Sequence, residues 1–226
     1  MKRCAVILLL LTFAGSADAQ VRRRVPRVPE PSTWLSLSVG LFNANNVSDG
    51  ATNSTWDFGQ SSTPQFRASL EKAINNNASI GATGTYAHVP FVYRGPETGV
   101  LNPPNCSRCD AHLDVVSLGA SFHYGGGMGL HQVLEGSAGA LQYRNLKRDS
   151  DGAALAPVSG NIDPYFTFGY GFGYTFNPAL EISVVQDLGL ALHERTGLTS
   201  DQSNTLRHRT TRVNFRYGFG SRIRRR

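Results

Sequence analysis

The sequence predicts an all-β fold, an eight-stranded antiparallel transmembrane up-and-down β-barrel, and three observations carry that prediction. The first is the stretch Tyr165–Phe176. Phe166, Phe168, Tyr170, Phe172, Tyr174 and Phe176 alternate strictly with Thr167, Gly169, Gly171, Gly173 and Thr175. That is the period of a strand, since a helix would mix the two sets. Eight strands enclose just enough room for their interior side chains, so six rings from one strand would overfill the inside. The rings therefore face lipid and the glycines face the lumen. A soluble sandwich or lipocalin-like barrel, with the rings turned inward, is the competing fold.

The second observation is the amino-terminal Lys2 and Arg3, followed by an apolar run from Ala5 to Ala14 and small residues up to Ala19. This pattern is a secretory signal peptide, residues 1–19, with an apolar core too short to span a bilayer as a helix. No later stretch is long and apolar enough for a helical span either, so the exported chain is soluble or a barrel. The net charge of +6 would suit a nucleic-acid binder, but export removes the chain from nucleic acid and much of the charge sits at its ends.

The third observation is the alternation of connections. Residues 20–33, with Arg22–Arg24 and several prolines, read as a disordered periplasmic lead-in. The barrel spans 34–220. In the first strand Leu35, Leu37, Val39 and Leu41 face out against Ser36, Ser38 and Gly40, with Trp34 as an interfacial anchor. The polar stretch Asn43–Pro64 reads as a loop. The second strand, Gln65–Ala73, turns at Asn75–Asn77 into the third, Ala78 to about Val92, whose parity slips near Pro90, marking an edge or bulge. After the loop Tyr93–Asp110 comes the fourth strand, Ala111–Tyr124, where Val115 and Val116 suggest a bulge.

A glycine turn, Gly125–Gly127, precedes the fifth strand, about His131–Arg144, the least defined because both faces carry small residues. The loop Asn145–Ile162 leads to the aromatic strand. Asn177–Pro178 is a short turn into the seventh strand, where Leu180, Ile182, Val184, Leu188, Leu190 and Leu192 oppose Glu181, Ser183, Asp187, Gly189 and Ala191. The loop Glu194–Arg209 precedes the last strand, with Val213, Phe215, Tyr217 and Phe219 outside and Arg212, Asn214, Arg216 and Gly218 inside. Residues 221–226 form a basic periplasmic tail. Four long and three short connections alternate throughout, as they do when a barrel inserts with both termini in the periplasm and long loops outside.

With these strands in place, the chain resembles the small outer-membrane β-barrels of Gram-negative bacteria, of the OmpA membrane-domain and OmpX kind. The resemblance covers nearly all of the exported chain. It implies residence in the outer membrane among lipid and lipopolysaccharide, and it makes Val213, Phe215, Tyr217 and Phe219 similar to the aromatic signal that the outer-membrane assembly machinery reads. Here Gly220–Arg226 follows that signal, whereas the aromatic residue is normally terminal.

Parity, with the bulge, places Arg67, Arg212 and Arg216 in the lumen with Glu71, Asp114, Glu135, Glu181 and Asp187. Buried charges must be paired, so these read as an ion-pair network. Cys106-x-x-Cys109 reads as a loop-closing disulfide, with no second cysteine pair or histidine cluster to complete a metal site. No cofactor is implied. The external loops are polar, with Arg94, Arg108, Lys147, Arg148, Arg195 and Arg207 as phosphate partners, and the surface ligand is unspecified. A non-enzymatic structural or surface-interaction role leads. A narrow porin-like channel and a lipid A-modifying enzyme remain the alternatives, the latter resting on Ser121 with His123 or His112 with Asp114.

Overall fold

The computed structural model describes residues 30–59, 62–95, 106–157, 161–200 and 202–221. The expected signal peptide, most of the expected lead-in and the expected tail beyond Ser221 lie outside the described residues. Eight long strands carry the barrel: β1 (Thr33–Ala44), β4 (Thr63–Ala73), β5 (Ala78–Arg94), β6 (Cys109–Tyr124), β7 (Gly129–Arg148), β8 (Ile162–Asn177), β9 (Leu180–Leu192) and β10 (Thr205–Phe219). Two short ones, β2 (Val47–Asp49) and β3 (Ser54–Asp57), lie in the first long connection. Every barrel strand pairs antiparallel with its neighbours, β1 pairs β10, and β5 pairs both β4 and β6, so the sheet closes on itself. The short turns, the start of β1 and the end of β10 share one mouth, the turn end; the long connections share the other, the loop end. Among the described residues no helix is long and apolar enough to cross a membrane.

Polarity is inverted relative to a soluble barrel. The rings from Phe166 to Phe176 on β8 are between 41% and 57% exposed, while Gly169, Gly171 and Gly173 between them are buried. Leu188 and Leu190 on β9, Val213, Phe215, Tyr217 and Phe219 on β10, and Leu35–Leu41 at alternate positions of β1 continue the apolar outer wall. A monomer in water does not expose a contiguous apolar belt of this size. The inner face is small on β8 because neighbouring strands fill the space it leaves. A Cβ at Gly169 would collide with the Asp187 carboxylate, and one at Gly189 with the His208 ring.

Four features differ from expectation. Parity does not slip at Pro90: Val89, Phe91 and Tyr93 are inward and buried in the same phase as Ala87. They look out of phase only because the interior itself turns apolar toward the loop end. Pro90 does sit at a local edge, between the last β4 partner of β5 at Ala87 and the first β3 partner at Val92. No bulge occurs at Val115–Val116. The extra residue is on β7, where the register shifts opposite His112 and Asp114 and Asn145 takes a left-handed φ of 53°. Asp114 therefore faces outward. Trp34 shares the phase of Ser36 and stacks inside the turn end, 4.3 Å from the Arg216 guanidinium, so it is not an outward interfacial residue. Residues ahead of position 34 also contact the barrel: Glu30 accepts a hydrogen bond from Asn76 and Ser32 donates its amide to Phe219.

Gly169→Val is expected to force the Asp187 carboxylate off its cation and remove ~3 kcal/mol or more of stability. Phe172→Leu, on the outer wall, should leave the fold intact. Migration of unheated against boiled protein on a detergent gel reads both outcomes: loss of the folded band for the first and its retention for the second.

Candidate functional site

The lumen is organised in levels along the axis, and the lowest is ionic. Near the turn end Arg216 donates to Glu71 at 2.9 Å and to the Ser79 hydroxyl, and Ser79 also donates to Glu71. Around mid-barrel Arg212 binds Asp187 through Nε at 2.6 Å and reaches Glu135 with a terminal nitrogen. Arg67 lies 3.7 Å from Glu135 and 3.6 Å from Asp187, and its Nε donates to Thr83 at 3.0 Å. His123 joins the two clusters, with Nδ1 3.2 Å from Glu135 and Nε2 3.8 Å from Glu181. Glu181 also meets His131 at 3.5 Å and Arg216 at 3.8 Å. All of these carboxylates and guanidiniums are buried, and each has an opposite charge in reach, as burial of charge demands.

Seven of the eight residues expected in the lumen network thus meet there. Asp114 does not. It lies on the outer wall, accepting hydrogen bonds from Tyr86 at 3.1 Å and Asn145 and pairing with His88 at 2.8 Å. His123, His131, Ser79 and Thr83 complete the network without having been assigned to it. Their phase was legible, but histidine and hydroxyl residues carry no compulsory charge to balance, so charge counting passed over them.

The next level is a stack of rings. Phe42 and Tyr165 lie on the two sides of His208, with centroids 5.0 and 5.5 Å away, and the His208 ring occupies the space over Gly189. Beyond it the interior is apolar. Val89, Phe91, Tyr93, Leu113, Val115, Leu141, Tyr143 and Leu206 point inward from the upper parts of the strands and bury one another.

This apolar interior is roofed by the first long connection, which is a folded hairpin and not the solvated loop expected from its Asn, Ser and Asp content. β2 pairs β3, placing Val47 opposite Trp56, and β3 adds to the upper part of β5 with Trp56 opposite Tyr93. The turn is held by Asp49, which accepts the Thr52 amide at 2.9 Å, and by Asn53 in a left-handed conformation. Trp56 is fully buried, with its ring 5.0 Å from those of Tyr143 and His193. Leu155, from the third long connection, closes the same core. Cys106 and Cys109 are disulfide-bonded and pack against it.

A buried latch holds the roof. His193 follows β9, and its Nδ1 is 2.9 Å from Asp163 on β8 while its Nε2 is 3.0 Å from Asp49 in the hairpin. Burial disfavours the imidazolium, but hydrogen bonds and charge from Asp163 and Asp49 outweigh it and raise the His193 pKa to about 9. Asp49 is held below the ordinary carboxylate range: burial opposes this, and the bonds from His193 and Thr52 prevail.

The pairs considered for catalysis are not assembled. Among the described residues the Ser121 hydroxyl has no hydrogen-bond partner, and His123 is engaged by carboxylates. His112 pairs with Asp149 at 2.6 Å, not with Asp114. Of the cations expected in the external loops, Arg94 is paired with Asp57 and Arg148 with Asp151. The Val213, Phe215, Tyr217 and Phe219 side chains lie outward on β10, beside Val39, Leu37 and Leu35 of β1 where the barrel closes.

No protein-family model matches the chain, and no curated protein matches it in sequence. Among solved structures it is similar to Neisserial surface protein A, with 11% identity, a TM-score of 0.50, and coverage of 83% of this chain and 97% of that one. OprG from Pseudomonas aeruginosa aligns at 8% identity and a TM-score of 0.48 over 85% of this chain and 98% of that one. Ail of Yersinia pestis aligns at 15% identity and a TM-score of 0.40 over 83% and 99%. The chain has the fold of the small eight-stranded outer-membrane β-barrels.

Glu135→Ala leaves Arg67 and Arg212 short of a carboxylate and is expected to cost ~3–5 kcal/mol, whereas Asp114→Ala should stay within about 1 kcal/mol; urea unfolding in lipid vesicles measures the difference. The His193 pKa of about 9 lies above the ~6.5 of a free imidazole. Its contribution to the roof is therefore full below about 6.5 and lost as pH rises through about 9, while that of Asp49 is lost on acidification. In a Trp34→Phe background, Trp56 emission should move to the red above pH ~9, and His193→Gln should show the shifted emission already at neutral pH. Emission unchanged between neutral and strongly alkaline pH contradicts the latch.

Proposed function

We propose that the protein is a non-catalytic, non-conducting barrel of the bacterial outer membrane, exported by its amino-terminal signal. Its loop end faces the exterior and presents a folded cap to surface partners. The observation that carries this reading is the filling of the lumen. Ionic side chains span the lower half, the Phe42–His208–Tyr165 stack crosses above them, and the Trp56 hairpin roofs the apolar interior. An eight-stranded barrel has little bore to spare, and here that bore is occupied at three successive heights.

The orientation is supported by the mouth that the start of β1 and the end of β10 share with the short turns, as insertion from the periplasm requires. On this reading Val213, Phe215, Tyr217 and Phe219 form the strand face read by the assembly machinery, and outer-membrane lipid and lipopolysaccharide surround the belt. A cap built from packed hairpin and strand extensions suits recognition better than a flexible loop, because less ordering entropy is lost when a partner binds.

The test has two readouts. In an outer-membrane fraction, unheated protein should migrate as a compact band that shifts on boiling. In planar bilayers the purified protein should give no unitary conductance, and His193→Gln, which unlatches only the roof, should remain silent because the ionic level is intact. Steady ion-selective openings from the unaltered protein would contradict the reading.

A further inference from the structure

Of the chain's six histidines, four are turned inward and two, His88 on β5 and His112 on β6, stand on the outer wall. The register sets His88 opposite Asp114 and His112 opposite Pro90, so the two rings occupy diagonal positions on adjacent strands. Their centroids are 5.0 Å apart and their planes are inclined by 42°, so they are not stacked face to face. Both lie on the loop-end side of Tyr86 and Val116, where the outer face of β6 turns polar with Asp114, His112 and Asp110.

Each ring is held by a carboxylate through the same nitrogen. His88 Nδ1 is 2.8 Å from Asp114, which also accepts from Tyr86 and Asn145. His112 Nδ1 is 2.6 Å from Asp149, whose amide is tied to the Asp110 carbonyl at 3.0 Å. An ionised carboxylate can only accept, so both Nδ1 atoms carry hydrogen. Nε2 is then the basic nitrogen of each neutral ring, and among the described residues neither Nε2 has a hydrogen-bond partner.

We propose that His88 and His112 together bind one divalent transition ion, of the zinc or copper class, through their Nε2 atoms. A carboxylate on the far nitrogen fixes the tautomer and ring orientation of a metal-binding histidine and makes the ligating nitrogen more basic. Here both rings carry that support. Two imidazoles on one ion, each bonded at ~2.0 Å and at a near-tetrahedral angle, hold their ring centres about 5 Å apart. The observed spacing matches. Asp114 and Asp149 are committed to the Nδ1 atoms, and among the described residues no group of three or more His, Cys, Asp or Glu is placed to hold an ion. Water therefore fills the remaining positions. Imidazole suits zinc and copper, whereas magnesium and calcium take oxygen ligands, and copper binds more tightly than zinc to the same nitrogens. The site stands whichever way the barrel is inserted. It was hidden in the sequence because the two histidines lie on different strands and come together only through the pairing of β5 with β6.

The test uses tag-free, full-length folded protein in detergent with its disulfide intact, titrated with Cu²⁺ and Zn²⁺ against a background of excess Mg²⁺. One Cu²⁺ should bind, pulsed electron paramagnetic resonance should show two coordinated imidazoles, and Zn²⁺ should compete for the same site. His88→Asn and His112→Asn, which should keep the folded gel band, are each expected to weaken Cu²⁺ binding at least tenfold and to leave one coordinated imidazole. Asp149→Ala keeps both ligands and should weaken binding about tenfold by freeing the His112 ring. A readout without variants is protection of His88 and His112 from diethyl pyrocarbonate by one equivalent of Zn²⁺, followed by peptide mass spectrometry. If the two histidines serve only as ion-pair partners of the aspartates, Zn²⁺ will give no protection and Cu²⁺ binding will be the same in both histidine variants; either result overturns the site. Loss of the bound ion to excess Mg²⁺ overturns it as well, since oxygen ligands would then be holding the ion. Unchanged affinity in Asp149→Ala overturns the positioning role of that carboxylate.

Discussion

The charge contacts around Arg212 are the constraint on which the structure depends. Hydrocarbon on the outside obliges the polar side chains to turn inward, and once inward their charges must balance there. Arg212 meets this demand by spanning Asp187 on β9 and Glu135 on β7, with Arg67 of β4 approaching both acids from across the lumen. Four strands far apart in sequence are tied at one height. The glycine face of β8 is the steric counterpart of the same arrangement, since Gly169 leaves room for the Asp187 carboxylate and Gly173 for His131. Aromatic belt and ionic lumen are two consequences of one alternation.

Much of this was legible in the sequence where polarity and period reinforce each other. β8, β9 and β10 carry apolar side chains on one phase and small or charged ones on the other, so phase alone assigned Arg212, Arg216, Glu181 and Asp187 to the interior. The reading weakened where the interior changes character. Val89, Phe91 and Tyr93 are as apolar as the outer wall, and a rule equating apolar with outward had to interpret them as a slip in register. Asp114 was misplaced by the same rule combined with a bulge assigned to β6, when the extra residue lies on β7 at Asn145. Period-2 patterns amplify such an error, since one residue of shift inverts every side chain beyond it.

The roof was illegible for a different reason. Between Asn43 and Pro64 the composition is that of a solvated loop, and only Val47, Trp56 and Phe58 speak against it. Three residues give no periodicity to detect. Their burial is dictated by a partner that local sequence does not reveal, namely the apolar upper lumen presented by β5, β6 and β7. His193 was equally silent, because Asp49 and Asp163 reach it only after the chain has closed. The change from ionic lower lumen to apolar upper lumen gives the molecule two separate stabilising units, and it lets the roof loosen without disturbing the charge network beneath.

The most direct measurement is the accessibility of nitroxide labels on β8 in reconstituted bilayers, using single cysteines at Phe168 and Phe172 against Thr167 and Thr175 with the native disulfide intact. The account predicts strong collision with lipid-dissolved oxygen at the first two positions and little at the second two. The opposite phase, with Phe168 and Phe172 protected from lipid and the threonine positions exposed to it, would contradict it.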